Sequence, residues 1–226
     1  YAAGGTLPVP FQWSFTVEVP AGSGAFIPPK TGYLTGISPY DVSSADIDKD
    51  LDMDLVVANY SSNSISVFLN TGNGTFGPKT DYAVTNPYAL FPADLDADGD
   101  LDLAGANYSN GRVFVMLNNG NGSFQAPVYY YVGDYPNSVH AADLDGDGDM
   151  DLLAAKNYNI SVLFNNGSAT FQNITNYTVG SSPQYVWAAD LDADGDADLA
   201  TANSGSSNVS VLRNNGNGTF QTKTDY

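Results

Sequence analysis

The sequence has no cysteine and a single histidine, His140. Their scarcity excludes a disulfide framework, a thiolate nucleophile and every cysteine or multi-histidine metal site. Basic residues are also few, seven Lys and Arg against 25 Asp and Glu, and the formal net charge is −18. A chain this acidic repels nucleic acid and anionic lipid, so neither is an expected partner. No run of 18 apolar residues occurs, which argues against membrane insertion. The opening residues YAAGGTLPVP lack the basic start and apolar run of a secretion signal. Glutamate is almost missing, with Glu18 the only one. Disordered acidic tails are rich in Glu and poor in the Tyr, Phe, Val and Leu present here. Acidity written almost wholly in Asp points instead to oxygen ligands at fixed positions.

What the chain has in abundance is repetition. Four segments align: ADIDKDLDMDL at 45–55, ADLDADGDLDL at 93–103, ADLDGDGDMDL at 142–152 and ADLDADGDADL at 189–199. A second marker keeps step: TGNGTF ends at Phe76, NGNGSF at Phe124, NGSATF at Phe171 and NGNGTF at Phe220. AGSGAF, ending at Phe26, has no acidic loop before it. The chain divides into an N-terminal segment with a partial blade (1–36) and four repeats (37–84, 85–133, 134–180, 181–226), together one domain. Each repeat reads as four short strands. In the third, 138–142 runs into the acidic loop, 150–156 leaves it, 160–164 ends at a Gly/Asn turn, and 171–179 follows. Helical periodicity with caps is absent. Four strands per repeat of about 48 residues predict an all-β fold of propeller blades. Blades bury both faces, which accounts for unbroken apolar runs such as VLFN and LLAA. Pro92 is tolerable if its strand is innermost, with one edge free.

The acidic loops have the chemistry of a calcium site. Calcium takes six to eight oxygens, and side chains at positions 1, 3 and 5 converge only if the backbone bends sharply after them. Glycine at position 6 permits that bend. The expected ligands at positions 1, 3, 5 and 9 are Asp46, Asp48, Asp50, Asp54; Asp94, Asp96, Asp98, Asp102; Asp143, Asp145, Asp147, Asp151; and Asp190, Asp192, Asp194, Asp198. Position 7 holds Asp52, Asp100, Asp149 and Asp196, placed to stay in water or to reach the ion through water. No Glu stands at position 12 and no helices flank the loop, unlike an EF-hand. About four structural Ca²⁺ ions are expected. The loops hold 20 of the 25 acids and one of the seven bases, Lys49, which leaves five acids against six bases elsewhere. In the first loop Leu51 replaces glycine, and a left-handed Leu costs about 1–2 kcal/mol. That site is expected to bind more weakly or to be distorted.

The loop DLDxDGDxDL followed by NNGNGTF resembles the FG-GAP/VCBS repeat family, found in the propellers of integrin α chains and in many microbial surface proteins. The resemblance covers about 37–226, with a half-blade at 14–33. It implies a β-propeller with calcium between the first two strands of a blade. It also implies extracellular structural, adhesive or ligand-binding roles, with catalysis rare. Family propellers commonly have seven blades, whereas this chain has material for four to five. Three arrangements are open: a five-bladed ring, a fragment of a larger ring, or an open stack completed by a neighbouring chain.

His140 falls where the other repeats have Ser43, Phe91 and Trp187, and blade-to-blade packing is its expected role. A lone histidine without a nucleophile is a poor catalyst, and no GxSxG, HExxH or phosphate loop occurs. The chain is therefore not expected to be an enzyme. Tyr129, Tyr130 and Tyr131 stand in a row, placed to cover a blade's outer part or to stack on sugars. Sequons at Asn59, Asn73, Asn107, Asn121, Asn159, Asn166, Asn173, Asn176, Asn208 and Asn217 are glycosylation candidates if the host is secretory. Unpaired strands at the two ends invite pairing with other chains, copies of itself included. The expected function is an extracellular structural or adhesion protein, with a subunit of a surface filament or matrix as one form. The alternative is a carbohydrate-binding, lectin-like module or the accessory domain of a larger secreted enzyme.

Overall fold

The computed structural model describes residues 32–226 except residue 73. The chain separates into two compact units, Tyr1–Tyr33 and Leu34–Tyr226. The half-blade expected at 14–33 therefore lies outside the described residues but for its last two positions.

Among the described residues, sixteen strands form four antiparallel sheets, each in simple sequence order. Blade 1 is β1 (Pro39–Ala45), β2 (Asp54–Asn59), β3 (Ser64–Phe68) and β4 (Thr80–Ala83). Blade 2 is β5 (Pro87–Ala93), β6 (Asp102–Asn107), β7 (Arg112–Met116) and β8 (Val128–Tyr131). Blade 3 is β9 (Pro136–Ala142), β10 (Asp151–Lys156), β11 (Asn159–Phe164) and β12 (Gln172–Thr178). Blade 4 is β13 (Pro183–Ala189), β14 (Asp198–Asn203), β15 (Asn208–Leu212) and β16 (Thr224–Asp225). No sheet closes between blades 1 and 4 among the described residues, so the four blades are part of a propeller.

Three apolar cores lie between successive blades, not within them. Ile47, Val56 and Ile65 of blade 1 meet Leu103, Phe114 and Met116 of blade 2. Val113 and Val115 meet Val139, Leu152 and Leu163. Leu153, Ile160 and Val162 meet Val186, Leu199 and Leu212. The second strands of blades 2 and 3 are buried from end to end, because each carries one core on either face. That is the physical origin of their unbroken apolar sequence. Gly105 of β6 shows how tight the fit is: a Cβ there would lie 2.0 Å from the Phe114 ring. Pro92 sits in the edge strand β5, where its missing N–H costs no ladder bond.

The first strands run side by side along the axis. Ser43, Phe91, His140 and Trp187 share one register position there. His140 packs between Phe91 and Trp187, with ring centroids 4.4 Å from each. It is 5% exposed, and burial pushes its pKa down to about 4. A folded-state value below the ordinary 6.5 means the fold holds the neutral ring. Its contribution to stability is present above about pH 6.5 and is lost as the pH falls towards 4. The expected midpoint of the His140 ring signals in NMR is near 4. Trp187→Ala, which admits water, should raise it; a wild-type midpoint near 6.5 would contradict the burial argument. Of the three consecutive tyrosines, Tyr129 and Tyr130 pack against inter-blade cores and only Tyr131 stands exposed.

Candidate metal centres

Each aspartate loop joins the first strand of a blade to the second, and all four share one backbone solution. Positions 4 and 6 are both left-handed: Lys49 and Leu51 (φ 63° and 74°), Ala97 and Gly99 (60° and 86°), Gly146 and Gly148 (79° and 94°), Ala193 and Gly195 (67° and 97°). This double bend wraps the chain around its own carboxylates. The N–H of position 6 donates to the position 1 carboxylate at 3.0–3.1 Å in every loop. The N–H of position 7 donates to the position 5 carboxylate at 2.8–3.0 Å. The first loop is not distorted: Leu51 takes the conformation that glycine takes elsewhere. Leu51 is 90% exposed, so its side chain gains nothing to offset the strain. Leu51→Gly should therefore add about 1 kcal/mol of stability, raising Tm by a few degrees in thermal unfolding. An unchanged or lower Tm would contradict that strain.

Position 9 is a brace as well as a carboxylate. Asp54, Asp102, Asp151 and Asp198 are at most 1% exposed. One oxygen of each accepts the N–H of position 2, from Ile47, Leu95, Leu144 or Leu191, at 2.9–3.1 Å. The other accepts the N–H of the asparagine that follows the third strand, Asn70, Asn118, Asn165 or Asn214, at 2.7–2.8 Å. Those asparagines read from sequence only as turn residues. Their carboxamides in fact clasp neighbouring blades: Asn118 Nδ2 donates to the Ile47 carbonyl of blade 1, Asn165 Nδ2 to Leu95 of blade 2, and Asn214 Nδ2 to Leu144 of blade 3, at 2.7–2.8 Å. The signal available in the sequence was their constant place, 14–16 residues after the position 9 aspartate.

Carboxylate oxygens converge within 4.8 Å of one another in each loop: Asp46, Asp48 and Asp50; Asp94, Asp96 and Asp102; Asp143, Asp145 and Asp151; Asp190, Asp192 and Asp194. Asp54, Asp98, Asp147 and Asp198 are not members of these groups. Position 7 does not join them. Asp100, Asp149 and Asp196 lie instead against Gly120, Gly167 and Gly216 of the Asn/Gly turn, where a Cβ would come within 2.7–2.8 Å of a carboxylate oxygen, and Asp52 faces Gly72 in the same way. Asp100 also pairs with Lys49 of the preceding loop. Those turn glycines are needed because a carboxylate occupies the space of a side chain.

The donor set suits a hard cation. Asp48, Asp94 and Asp145 each keep one buried oxygen with no hydrogen-bond partner. Burial, and then the neighbouring carboxylates, raise the pKa values of Asp48, Asp96 and Asp145. Burial also lifts Asp102 to about 6 and Asp151 to about 7, against the lowering effect of their two backbone N–H bonds. Arg213, 3.5 Å from Asp192, is the one base in ion-pair contact with a cluster among the described residues. The loops thus gather carboxylates whose charge the protein itself leaves largely uncompensated.

Two sequons fail on geometry. Asn59 and Asn107 are at most 1% exposed, and their carboxamides bond inward or to the backbone, which removes them as glycan acceptors on the folded chain. Asn73 lies outside the described residues. Asn121, Asn166 and Asn217 stand exposed at turn tips.

A model of the FG-GAP-like repeat family matches residues 46–104, 94–154, 143–201 and 190–226. The chain belongs to the FG-GAP-like repeat family. Each FG-GAP match starts at the first aspartate of a loop, and the three complete ones end within the second strand of the following blade, so the family's unit straddles the interface that the asparagines clasp. No curated protein matches the chain. Among solved structures, it is similar to an Agrocybe aegerita lectin described for specific recognition of non-reducing terminal N-acetylglucosamine, at 25% identity and TM-score 0.59 over 83% of this chain and 52% of that one. It is also similar to the Pseudomonas aeruginosa periplasmic gluconolactonase PpgL, at 16% identity and TM-score 0.61 over 82% and 53%. The FG-GAP chain spans about half the length of these two proteins. The likeness to PpgL is one of fold alone. Among the described residues no helix is long and apolar enough to cross a membrane.

Proposed function

We propose that this FG-GAP chain is an extracellular calcium-binding module with a structural and adhesive role, one Ca²⁺ in each of four loops. The supporting observation is the recurring cluster of aspartate oxygens, some buried without a partner, in a backbone already bent to present them. Positions 1 and 3 hold the ion in every loop, joined by position 5 in the first and fourth and by position 9, which also fixes the loop, in the second and third. Calcium is preferred to magnesium because so many carboxylates leave little room for retained water. Such sites fill at the millimolar calcium found outside cells. Titration calorimetry on metal-stripped chain should give about four calcium ions per chain and weaker magnesium binding. No binding, or equal binding of both ions, would sink the assignment.

The reading extends to assembly. Trp187, Val209 and Tyr226 leave apolar surface exposed on blade 4, suited to another chain, a second copy included. A filament or matrix subunit should scatter light as a polymer in calcium and fall apart in EDTA, whereas a monomer near 24 kDa in calcium would remove that role. The exposed sequons Asn121, Asn166 and Asn217 are the glycan acceptors proposed for a secretory host. A second reading, a glycan-binding module or the accessory domain of a larger secreted enzyme, takes support from the likeness to the A. aegerita lectin.

A further inference from the structure

Five tyrosines form a continuous series of ring contacts at the strand ends opposite the aspartate loops, with Tyr60 also edge-on to Tyr88 at 6.3 Å. Ring centroids are 5.2 Å apart for Tyr60 and Tyr40, 4.9 Å for Tyr40 and Tyr88, 5.0 Å for Tyr88 and Tyr108, and 5.1 Å for Tyr108 and Tyr135. Tyr40 and Tyr88 are the second residues of β1 and β5; Tyr60 and Tyr108 directly follow β2 and β6. The corresponding places hold Asn137 and Asn157 in blade 3, and Gln184 and Ser204 in blade 4. The repeat is therefore broken at two positions, and the face changes from aromatic to amide halfway along the blades.

Tyr135 stands at that change. It precedes the proline that opens its blade and has φ 58°, a place filled by Ser38, Asn86 and Ser182 in the other blades. A left-handed backbone is unfavourable for a bulky residue, and a following proline restricts it further. Positive φ at this place is common to all four blades, 55° at Ser38, 42° at Asn86 and 53° at Ser182, so it belongs to the turn of the repeat. Here it sets the Tyr135 ring beside Tyr108.

A cleft of about 210 Å³ opens at this boundary, lined by Tyr88, Tyr108, Tyr135, Asn137, Asn157 and Gln184. No charged side chain lines it. Asn137 and Gln184 spend an N–H on backbone carbonyls, which leaves their carboxamide oxygens as acceptors. The cleft is small beside the roughly 300 Å³ and more of a drug-sized pocket, and a single ring fits it better than an extended molecule. Aromatic faces favour an apolar face, while neutral amides and phenols favour a hydroxylated edge. The net charge of −18 disfavours an anion. We propose that this cleft binds one neutral pyranose ring of an oligosaccharide, with Tyr40 and Tyr60 extending the contact to neighbouring units. The proposal rests on the glycan-binding reading and is independent of the calcium one.

Affinity electrophoresis of the calcium-loaded chain through gels containing laminarin, mannan or glycol chitin, with alginate as the anionic control, tests it. At least one neutral polysaccharide should retard the chain. Tyr108→Ala and Gln184→Ala should each weaken that retardation by about tenfold with the fold intact by thermal melting. Tyr131→Ala, an exposed tyrosine outside the series, should leave it unchanged. Gln184 is a surface residue, so its variant keeps the test valid if Tyr108→Ala fails to fold. Retardation that survives both substitutions would keep the glycan reading and overturn this site. No retardation by any neutral polysaccharide, or retardation by alginate alone, would overturn the proposal, and the first of these would remove the glycan reading with it.

Discussion

Chelation of divalent cations should lower the melting temperature of this FG-GAP chain by about 20–40 °C. Calcium that binds only the folded chain at a hundredfold excess over Kd adds about 2.7 kcal/mol per site, or about 10 kcal/mol for four. For a chain of this length each kcal/mol moves Tm by about 2–4 °C. The effect is concentrated because each loop ties the first strand of a blade to the second, and every inter-blade core depends on those strands. Without the ion, the clustered aspartates are left crowded against one another, and partial burial together with the neighbouring carboxylates raises the pKa values of Asp48, Asp96 and Asp145. The calcium effect should also shrink on acidification. Asp102 and Asp151 are lifted to about 6 and about 7 in the metal-free fold, so as anions they cost stability above those values and are relieved below them. A cation must displace the protons held there, and the gap in Tm between calcium and EDTA should narrow from pH 7.5 to pH 5. Scanning calorimetry at the two pH values measures both. A gap below about 5 °C at pH 7.5 would remove calcium as a structural element of the fold.

The blades and the aspartate loops were legible because both are local. A strand, its loop and its hairpin turn lie within one repeat, and four copies in register exposed the period. What was hidden depends on contacts between repeats. The asparagines of Asn118, Asn165 and Asn214 type occupy turns, and only the packing of one blade on the next shows that their carboxamides reach across. The position 7 aspartates have the spacing of ligands, but their side chains turn to the Asn/Gly hairpin, whose glycines make room for them. Asn59 and Asn107 have a sequon's sequence and a strand end's burial. The tyrosine series is not legible in the sequence because its members are 20 to 28 residues apart and one of them, Tyr135, depends on a backbone conformation that its sequence disfavours. The row Tyr129, Tyr130 and Tyr131 drew attention by adjacency, yet alternation along β8 sends the first two into different cores.

Asn165→Ala should be among the most damaging single substitutions outside the apolar cores, and its effect should reach two metal centres. The carboxamide donates to the Leu95 carbonyl of the preceding loop at 2.7 Å and to the Met150 carbonyl of its own at 3.0 Å. Asn165 is 7% exposed, so water replaces neither bond readily. The Leu95 carbonyl also accepts the Ala169 N–H at 3.1 Å and so keeps one of its two partners, and the Met150 bond is only partly buried, so the two losses together cost about 2–3 kcal/mol. The expected fall in Tm is about 5–10 °C. Asn70→Ala provides the comparison, because its Nδ2 reaches only the Met53 carbonyl, in exposed surroundings. Leu95 is position 2 of the second loop, and its N–H is already held by Asp102. Leu95 is thus held from both sides, by its own blade through its N–H and by the next blade through its carbonyl, which accepts from Asn165 Nδ2 and the Ala169 N–H. Removing the shorter of the next blade's two holds should loosen the 94–102 loop and weaken calcium binding there as well as at 143–151. Calorimetric titration of Asn165→Ala should show two weakened sites where a wholly local role would give one. Equal losses of Tm in Asn165→Ala and Asn70→Ala, with a single weakened site, would reduce the clasp to an ordinary turn contact.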